Sequence, residues 1–331
     1  MSEAPGHFKT EAPSPFFKGT TLQYAWDSTS LGLLMACPYK YKLTIIEGWK
    51  KKDVSVHLRF GGHFATAMEV FAAAKAADAT HDEALDVTVA AILEMTWDRP
   101  LDKQGNKIME EGNGTPWTPD NSPKKNRDTL LRTVIWYFEE YKDDPAKTMI
   151  LPSGKPATEV TFKLESGIKS NYDNSEYLLT GHLDKGVIYA DDPFVMDQKT
   201  TGGGLGSYYF SQYDLSNQMS QYTFAGRIVW NVPLRGVIID AAAILVGSTT
   251  FGRSITMRSE GQLTEWHTNV GRWLNLAEHF ADSGEYPMNL ESCNNYGGCV
   301  FKNICSKDPR VREKFLETDF EKRFWNPLED R

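Results

Sequence analysis

Several things are scarce in this 331-residue sequence. No apolar run approaches the ~20 residues that a membrane-crossing helix needs; the longest, such as residues 236–246, have the length of a strand or a buried helix. The first 20 residues carry Pro, Ser, Glu and Lys without an apolar centre, which argues against a secretory leader and for a flexible arm. A cytoplasmic protein with no membrane partner is the resulting expectation. Positive charge is also short: 36 Lys and Arg stand against 44 Asp and Glu, a net charge of -8. That disfavours indiscriminate polyanion binding but leaves room for a local basic groove. The basic clusters at Lys40, Lys42, Lys50, Lys51 and Lys52, and at Lys307, Arg310, Arg312 and Lys314, read by charge alone as solvated faces. Cysteine occurs only four times, and no internal repeat is visible. What is plentiful is ordinary globular material: 40% hydrophobic and 24% charged residues, enough chain for one elaborated domain or two fused ones.

Periodicity divides the chain. Apolar spacing predicts helices over residues 30–49, with a break at Pro38, then 63–77 after Gly61 and Gly62, 81–97 and 126–141. Residues 99–125 are polar and proline-rich and read as a long surface loop. The period then shortens: residues 158–164, 177–189 and 194–200 read as strands, the last two joined by a turn at 190–193. Residues 207–230 read as helix, 236–246 as a buried strand and 261–280 as helix. Helices, then strands, then helix, strand and helix suggest an α/β core with an N-terminal helical elaboration.

The chemistry concentrates in the two predicted strands. Gly181-His182-Leu183-Asp184 is followed by Asp197-Gln198-Lys199. Residues two apart in a strand share a face, so Asp197 and Lys199 point the same way. A hairpin turning near Ala190 and Asp191 sets Asp184 opposite Asp197, with Cβ atoms ~5 Å apart. A divalent cation relieves the repulsion between the acids; Mg²⁺ or Mn²⁺ would take both carboxylates and the Gln198 carbonyl. Lys199 would then orient a water or neutralise charge on phosphorus, which suits phosphodiester hydrolysis. Gln218 and Tyr222 are four apart in a predicted helix and share one side of it.

The cysteines are Cys37, Cys293, Cys299 and Cys305. Four thiolates match the ligand count of an iron–sulfur cluster. Zinc also takes four, but its usual pairs are more closely spaced. Disulfides suit an oxidising compartment. A cluster here would tie the N-terminal helix to the C-terminal tail.

In this order the pieces resemble the RecB-like branch of the PD-(D/E)XK nuclease superfamily, and within it CRISPR-associated and bacteriophage-encoded exonucleases with a four-cysteine Fe–S cluster. The likeness runs from Cys37 to Cys305. It implies a restriction-endonuclease-like α/β core, a central mixed sheet flanked by helices, with an N-terminal helical elaboration and a Cys-bound C-terminal tail. The corresponding segments are an arm at 1–20, a helical subdomain at 21–150, the nuclease core at 151–290 and the Fe–S ligand region and tail at 291–331. It further implies a Mg- or Mn-dependent exonuclease acting on single-stranded DNA or DNA ends, in recombination, repair or phage- and CRISPR-related processing. Asp184, Asp197 and Gln198 would hold metal, Lys199 would be catalytic, Gln218 and Tyr222 would support the site, and Glu159 would assist. Cys37, Cys293, Cys299 and Cys305 would carry a 4Fe-4S cluster, with zinc second. One departure stands out. The family helix reads F-G-x-x-x-H-x-x-x-E, whereas here Ala65 holds the histidine slot and His63 lies two residues early, ~200° around a helix. That leaves a noncatalytic or weakly active DNA-binding Fe–S protein as the alternative, and a zinc-stabilised interaction protein as a third reading.

Overall fold

A computed structural model describes residues 12–52, 55–100, 107–108, 114–119 and 122–329. Its main elements are α1 (Ser28–Ala36), α2 (Val56–Ala76), α3 (His81–Met95), α4 (Arg127–Glu140), β1 (Thr158–Lys169), β2 (Glu176–Tyr189), β3 (Asp192–Thr201), α5 (Ser207–Ser211), α6 (Asn217–Trp230), β4 (Gly236–Ile244), β5 (Thr249–Met257) and α7 (Glu260–Ser283). They form a mixed α/β fold. The chain groups into two compact units, one of Met1–Lys52, Thr161–His182 and Thr264–Arg331, the other of Asp53–Val160 and Leu183–Leu263. These units are built from separated stretches and cut across the consecutive segments expected from the sequence.

The second unit holds a mixed sheet. β2 and β3 run antiparallel, β3 and β4 parallel, and β4 and β5 antiparallel. β4 is buried at every position, as a parallel neighbour covered on both faces should be. One face packs Ala242 and Ile244 against Phe60 and Phe64 of α2, Ile92 of α3, and Leu130, Val134 and Phe138 of α4. Each such buried apolar side chain stabilises by roughly 1.5–3 kcal/mol. The other face meets α6, where Gly226 lies against Val195 and Leu234. α2 begins at Val56 rather than at 63, so Gly61 and Gly62 lie inside it. The apolar series Phe60, Phe64, Ala67 and Met68 overrides the ~1 kcal/mol that each glycine costs a helix. The stretch expected as one helix over 207–230 is two, and between them the Tyr213 carbonyl accepts from the Ser216 N–H at 3.3 Å and from Arg258 Nη2 at 3.0 Å. β5 was not foreseen: Gly252 and Arg253 interrupt its apolar alternation. The 99–125 stretch is not wholly surface loop, since Trp117 is buried and Thr115–Pro116 pairs with Trp97–Asp98. Residues 101–106, 109–113 and 120–121 of it lie outside the described residues.

In the first unit, Ala25–Trp26 runs parallel to β2 at Leu178 and Leu179. Pro38 does break the expected helix over 30–49: Cys37 is extended, and a short helix Pro38–Tyr41 and a π-turn Lys42–Ile46 follow. Residues 1–11 of the expected arm lie outside the described residues; beyond them Phe17 is buried and meets the Tyr24, Tyr172 and Tyr177 rings, so that part is tied down. Among the described residues no helix is long and apolar enough to cross a membrane.

Candidate active site

The β2–β3 hairpin turns at Ala190 and Asp191, both left-handed with φ of 49° and 66°. Two such residues match the twist of a two-residue hairpin. Pairing runs from Tyr189↔Asp192 to Lys185↔Met196, and Asp184 and Asp197 come next in that register. Asp197 is 1% exposed, and its Oδ2 lies 2.6 Å from Nζ of Lys199. That contact is an ion pair rather than a well-directed hydrogen bond, for Oδ2 has no hydrogen-bond partner by geometry. Asp184 Oδ2 accepts from the Gln198 main-chain N–H at 3.0 Å, which fixes the carboxylate beside β3. Burial by itself would lower the pKa of Lys199, but the Asp197 and Asp184 carboxylates outweigh it and raise the pKa above that of a free lysine. The lysine therefore feels both acids and remains an ammonium at neutral pH.

A cavity of about 360 Å³ opens beside this strand end, lined among others by Glu69, Glu159, Asp184, Lys185 and Gln198. Glu159 adopts φ of 46°, an uncommon backbone for a glutamate. Tyr137, Tyr141 and Asp144 form another part of the wall. They are braced by Arg253, which pairs with Asp144 at 2.6 Å and Asp240 at 3.0 Å and lies 3.7 Å over the Tyr141 ring. Tyr137 donates to Asp240 as well. The network leaves the buried Asp240 compensated.

The remaining predicted residues fall into separate places. Gln218 Nε2 donates to Tyr222 Oη at 3.0 Å along α6. His63 accepts from Arg59 Nε at 3.3 Å and meets the Trp117 ring edge-on, so its described partners are not the acids. Burial first, then Arg59, lowers its pKa. Further side chains also belong here, one from the family helix motif and two that no motif named. Glu69 closes the F-G-x-x-x-H-x-x-x-E pattern and reaches the cavity despite Ala65. Tyr209 of α5 is close enough for its ionisation to feel Lys199 and Asp197. Lys125, 2% exposed, donates to Thr200 Oγ1 at 3.3 Å, next in sequence to Lys199. The sequence signal for Tyr209 is the aromatic run Tyr208-Tyr209-Phe210, which follows the glycines after D-x-K.

The divalent-metal fit rests on donor chemistry. Two carboxylates and a main-chain carbonyl are hard oxygen donors suited to Mg²⁺ or Mn²⁺. The set includes two acidic side chains, and among the described residues no three His, Cys, Asp or Glu side chains are grouped to hold one ion.

In the first unit Cys37, Cys293, Cys299 and Cys305 line a single small cavity, and none forms a disulfide. Burial, then the charge of Cys299, Cys37 and Cys293, pushes the Cys305 thiol up to about 11, so all four sulfurs share one electrostatic neighbourhood. Cys299 and Cys305 pack on Leu43, Trp49, Phe301, Ile304, Leu316 and Phe320. Four thiols around one cavity match the ligand count of an iron–sulfur cluster and of a zinc site alike.

A mixed sheet with helices on both faces carries two acids and a lysine at one strand end. A model of the PD-(D/E)XK nuclease superfamily matches residues 26–306. The chain belongs to the PD-(D/E)XK nuclease superfamily. Among solved structures it is similar to a candidate exonuclease from Eubacterium rectale, with 11% identity, 81% of this chain and 85% of that one covered, and a TM-score of 0.43. It is also similar to a protein named SSO0001, with 13% identity, 54% and 76% covered, and a TM-score of 0.29. A search of curated proteins finds no significant match.

Proposed function

We propose that the chain is a Mg²⁺- or Mn²⁺-dependent deoxyribonuclease that hydrolyses phosphodiester bonds as an exonuclease, on single-stranded DNA or DNA ends. The observation that carries this reading is the 2.6 Å meeting of Lys199 with the buried Asp197, with Asp184 held alongside by the Gln198 amide. Membership of the superfamily supports it. Asp184, Asp197 and the Gln198 carbonyl would hold the metal, which when bound acidifies water and stabilises phosphoryl charge. Lys199 supplies a fixed positive charge to the phosphoryl oxygens, since its raised pKa keeps it protonated through neutral pH. The Gln198 N–H keeps Asp184 from rotating away. Gln218, oriented by Tyr222, offers its amide to a phosphate or a water. Cys37, Cys293, Cys299 and Cys305 would ligate a 4Fe-4S cluster with a structural role, with zinc as the second choice, and their common cavity supports a shared centre.

The test is cleavage of end-labelled single- and double-stranded DNA with Mg²⁺, Mn²⁺ or chelator. Asp197→Ala and Lys199→Ala are expected to abolish metal-dependent cleavage while circular dichroism stays that of the parent. Activity surviving both changes rejects the site. Ala65 in the histidine slot, with His63 engaged by Arg59 and Trp117, favours a second reading: a weakly active or noncatalytic DNA-binding protein. Binding of DNA without cleavage in either metal would select it.

A further inference from the structure

β3 ends at Thr201, and three glycines, Gly202 to Gly204, lead into α5. This helix holds Tyr208 out in solvent, 92% exposed. Its neighbours are fixed. Leu205 and Phe210 lie over Gly252 of β5, where a Cβ would sit 3.3 Å from Leu205 and 3.6 Å from Phe210; the glycine makes room for them. The Tyr209 ring meets Phe210 at 5.2 Å and Tyr213 at 5.8 Å, and Tyr213 Oη donates to Tyr209 Oη at 3.3 Å. The buried Arg258 binds the Tyr213 carbonyl at 3.0 Å, and Lys124 Nζ donates to the Gly202 carbonyl at 2.8 Å. A bare aromatic ring thus stands on an anchored base.

The register says where that base is. Lys199 pairs with Ala241, and Ala241 pairs with Gly252. The three form one row across the sheet, and residues in such a row share a face. Two strand spacings separate the ends of the row, about 10 Å. α5 therefore covers the same face as the Lys199 ammonium, within one nucleotide's reach of it. A strand whose phosphate sits at Lys199 and Asp197 would bring an adjoining base over α5. Unpaired bases expose a π-face to such a ring, whereas bases in a duplex are stacked on each other.

We infer that Tyr208 is a stacking platform for an unpaired base next to the scissile phosphate, and that it biases the enzyme toward single strands. This rests on the nuclease reading, and the experiment separates the two. Fluorescence anisotropy would follow a labelled single-stranded oligonucleotide, the same length with abasic sites, and a blunt duplex, all with chelator present, alongside cleavage in Mn²⁺. Tyr208→Ala is expected to weaken single-strand binding by on the order of 5- to 100-fold, the equivalent of one stacked base. Tyr208→Phe should keep the parent's affinity. Duplex binding should be alike in all three proteins, and abasic DNA should bind the parent as poorly as intact DNA binds Tyr208→Ala. The melting temperature should not move, because the side chain is solvent-exposed. If Tyr208→Ala binds single strands as the parent does, the platform is overturned while the nuclease reading stands. If the parent neither binds nor cuts any DNA, the nuclease reading fails and takes the platform with it.

Discussion

Lys125 shows what a single side chain here can cost. It is nearly inaccessible, reaches Thr200 Oγ1, and lies 5.4 Å over the Phe60 ring. Burial pushes its pKa down to about 8. A free lysine titrates at ~10.4, so between these values the unfolded chain binds more protons and stability rises with pH. Below pH 8 the ammonium is present in both states and its desolvation opposes folding in full. Lys125→Met is therefore expected to raise the melting temperature at pH 7 by roughly 2–6 °C, and the gain should shrink as pH climbs from 8 to 10. Thermal melts of both proteins at pH 7 and 9.5 check this; a constant gain would mean that the lysine does not titrate in that window. The contrast with Lys199 is instructive at this scale. The arrangement of Asp184, Asp197 and Lys199 was legible in the sequence because a strand's two-residue period aligns Asp197 with Lys199 and the hairpin turn sets Asp184 opposite. Lys125 and Tyr209 come from a loop and a helix, and no local pattern says that such residues converge on one strand end.

Elements were legible where one physical rule dominated. β2 and β3 showed alternation and a turn between them, and the hairpin register followed. The start of α2 was misjudged because glycine propensity and apolar spacing disagree there, and spacing wins through packing. At the break between α5 and α6 the Tyr213 carbonyl meets Arg258, a long-range partner that no window of sequence contains. Gly181 belongs to the opposite case: a Cβ there would lie 2.8 Å from the Phe162 ring, so the glycine of G-x-x-D has a steric reason to be glycine. The hairpin turn is itself improvable. Ala190 and Asp191 sit at positive φ, where Asn and Gly suffer less strain. The double change Ala190→Asn and Asp191→Gly should stabilise by about 1 kcal/mol in urea unfolding with cleavage unchanged. Equal or lower stability would show that the turn carries no such strain.

On the scale of the whole chain, the superfamily was recognisable because its pieces occur in order, although each alone is weak. The two units were not recognisable, because contact between distant stretches leaves no mark in composition. All four cysteines belong to the unit made from Met1–Lys52, Thr161–His182 and Thr264–Arg331. Cys299→Ser is expected to lower bound iron and to quicken amide hydrogen exchange around Leu316 and Phe320, while exchange in β3 and β4 stays slow. Iron content equal to the parent's would remove Cys299 from the ligand set.

That unit's construction from the front and back of the chain has a consequence for biosynthesis. At ~5–20 residues per second, the segment ending at Lys52 leaves the ribosome roughly 10–40 s before residues from Thr264 onward are made. Through that interval Leu43 and Trp49 lack Phe301, Leu316 and Phe320, the later residues against which they are buried.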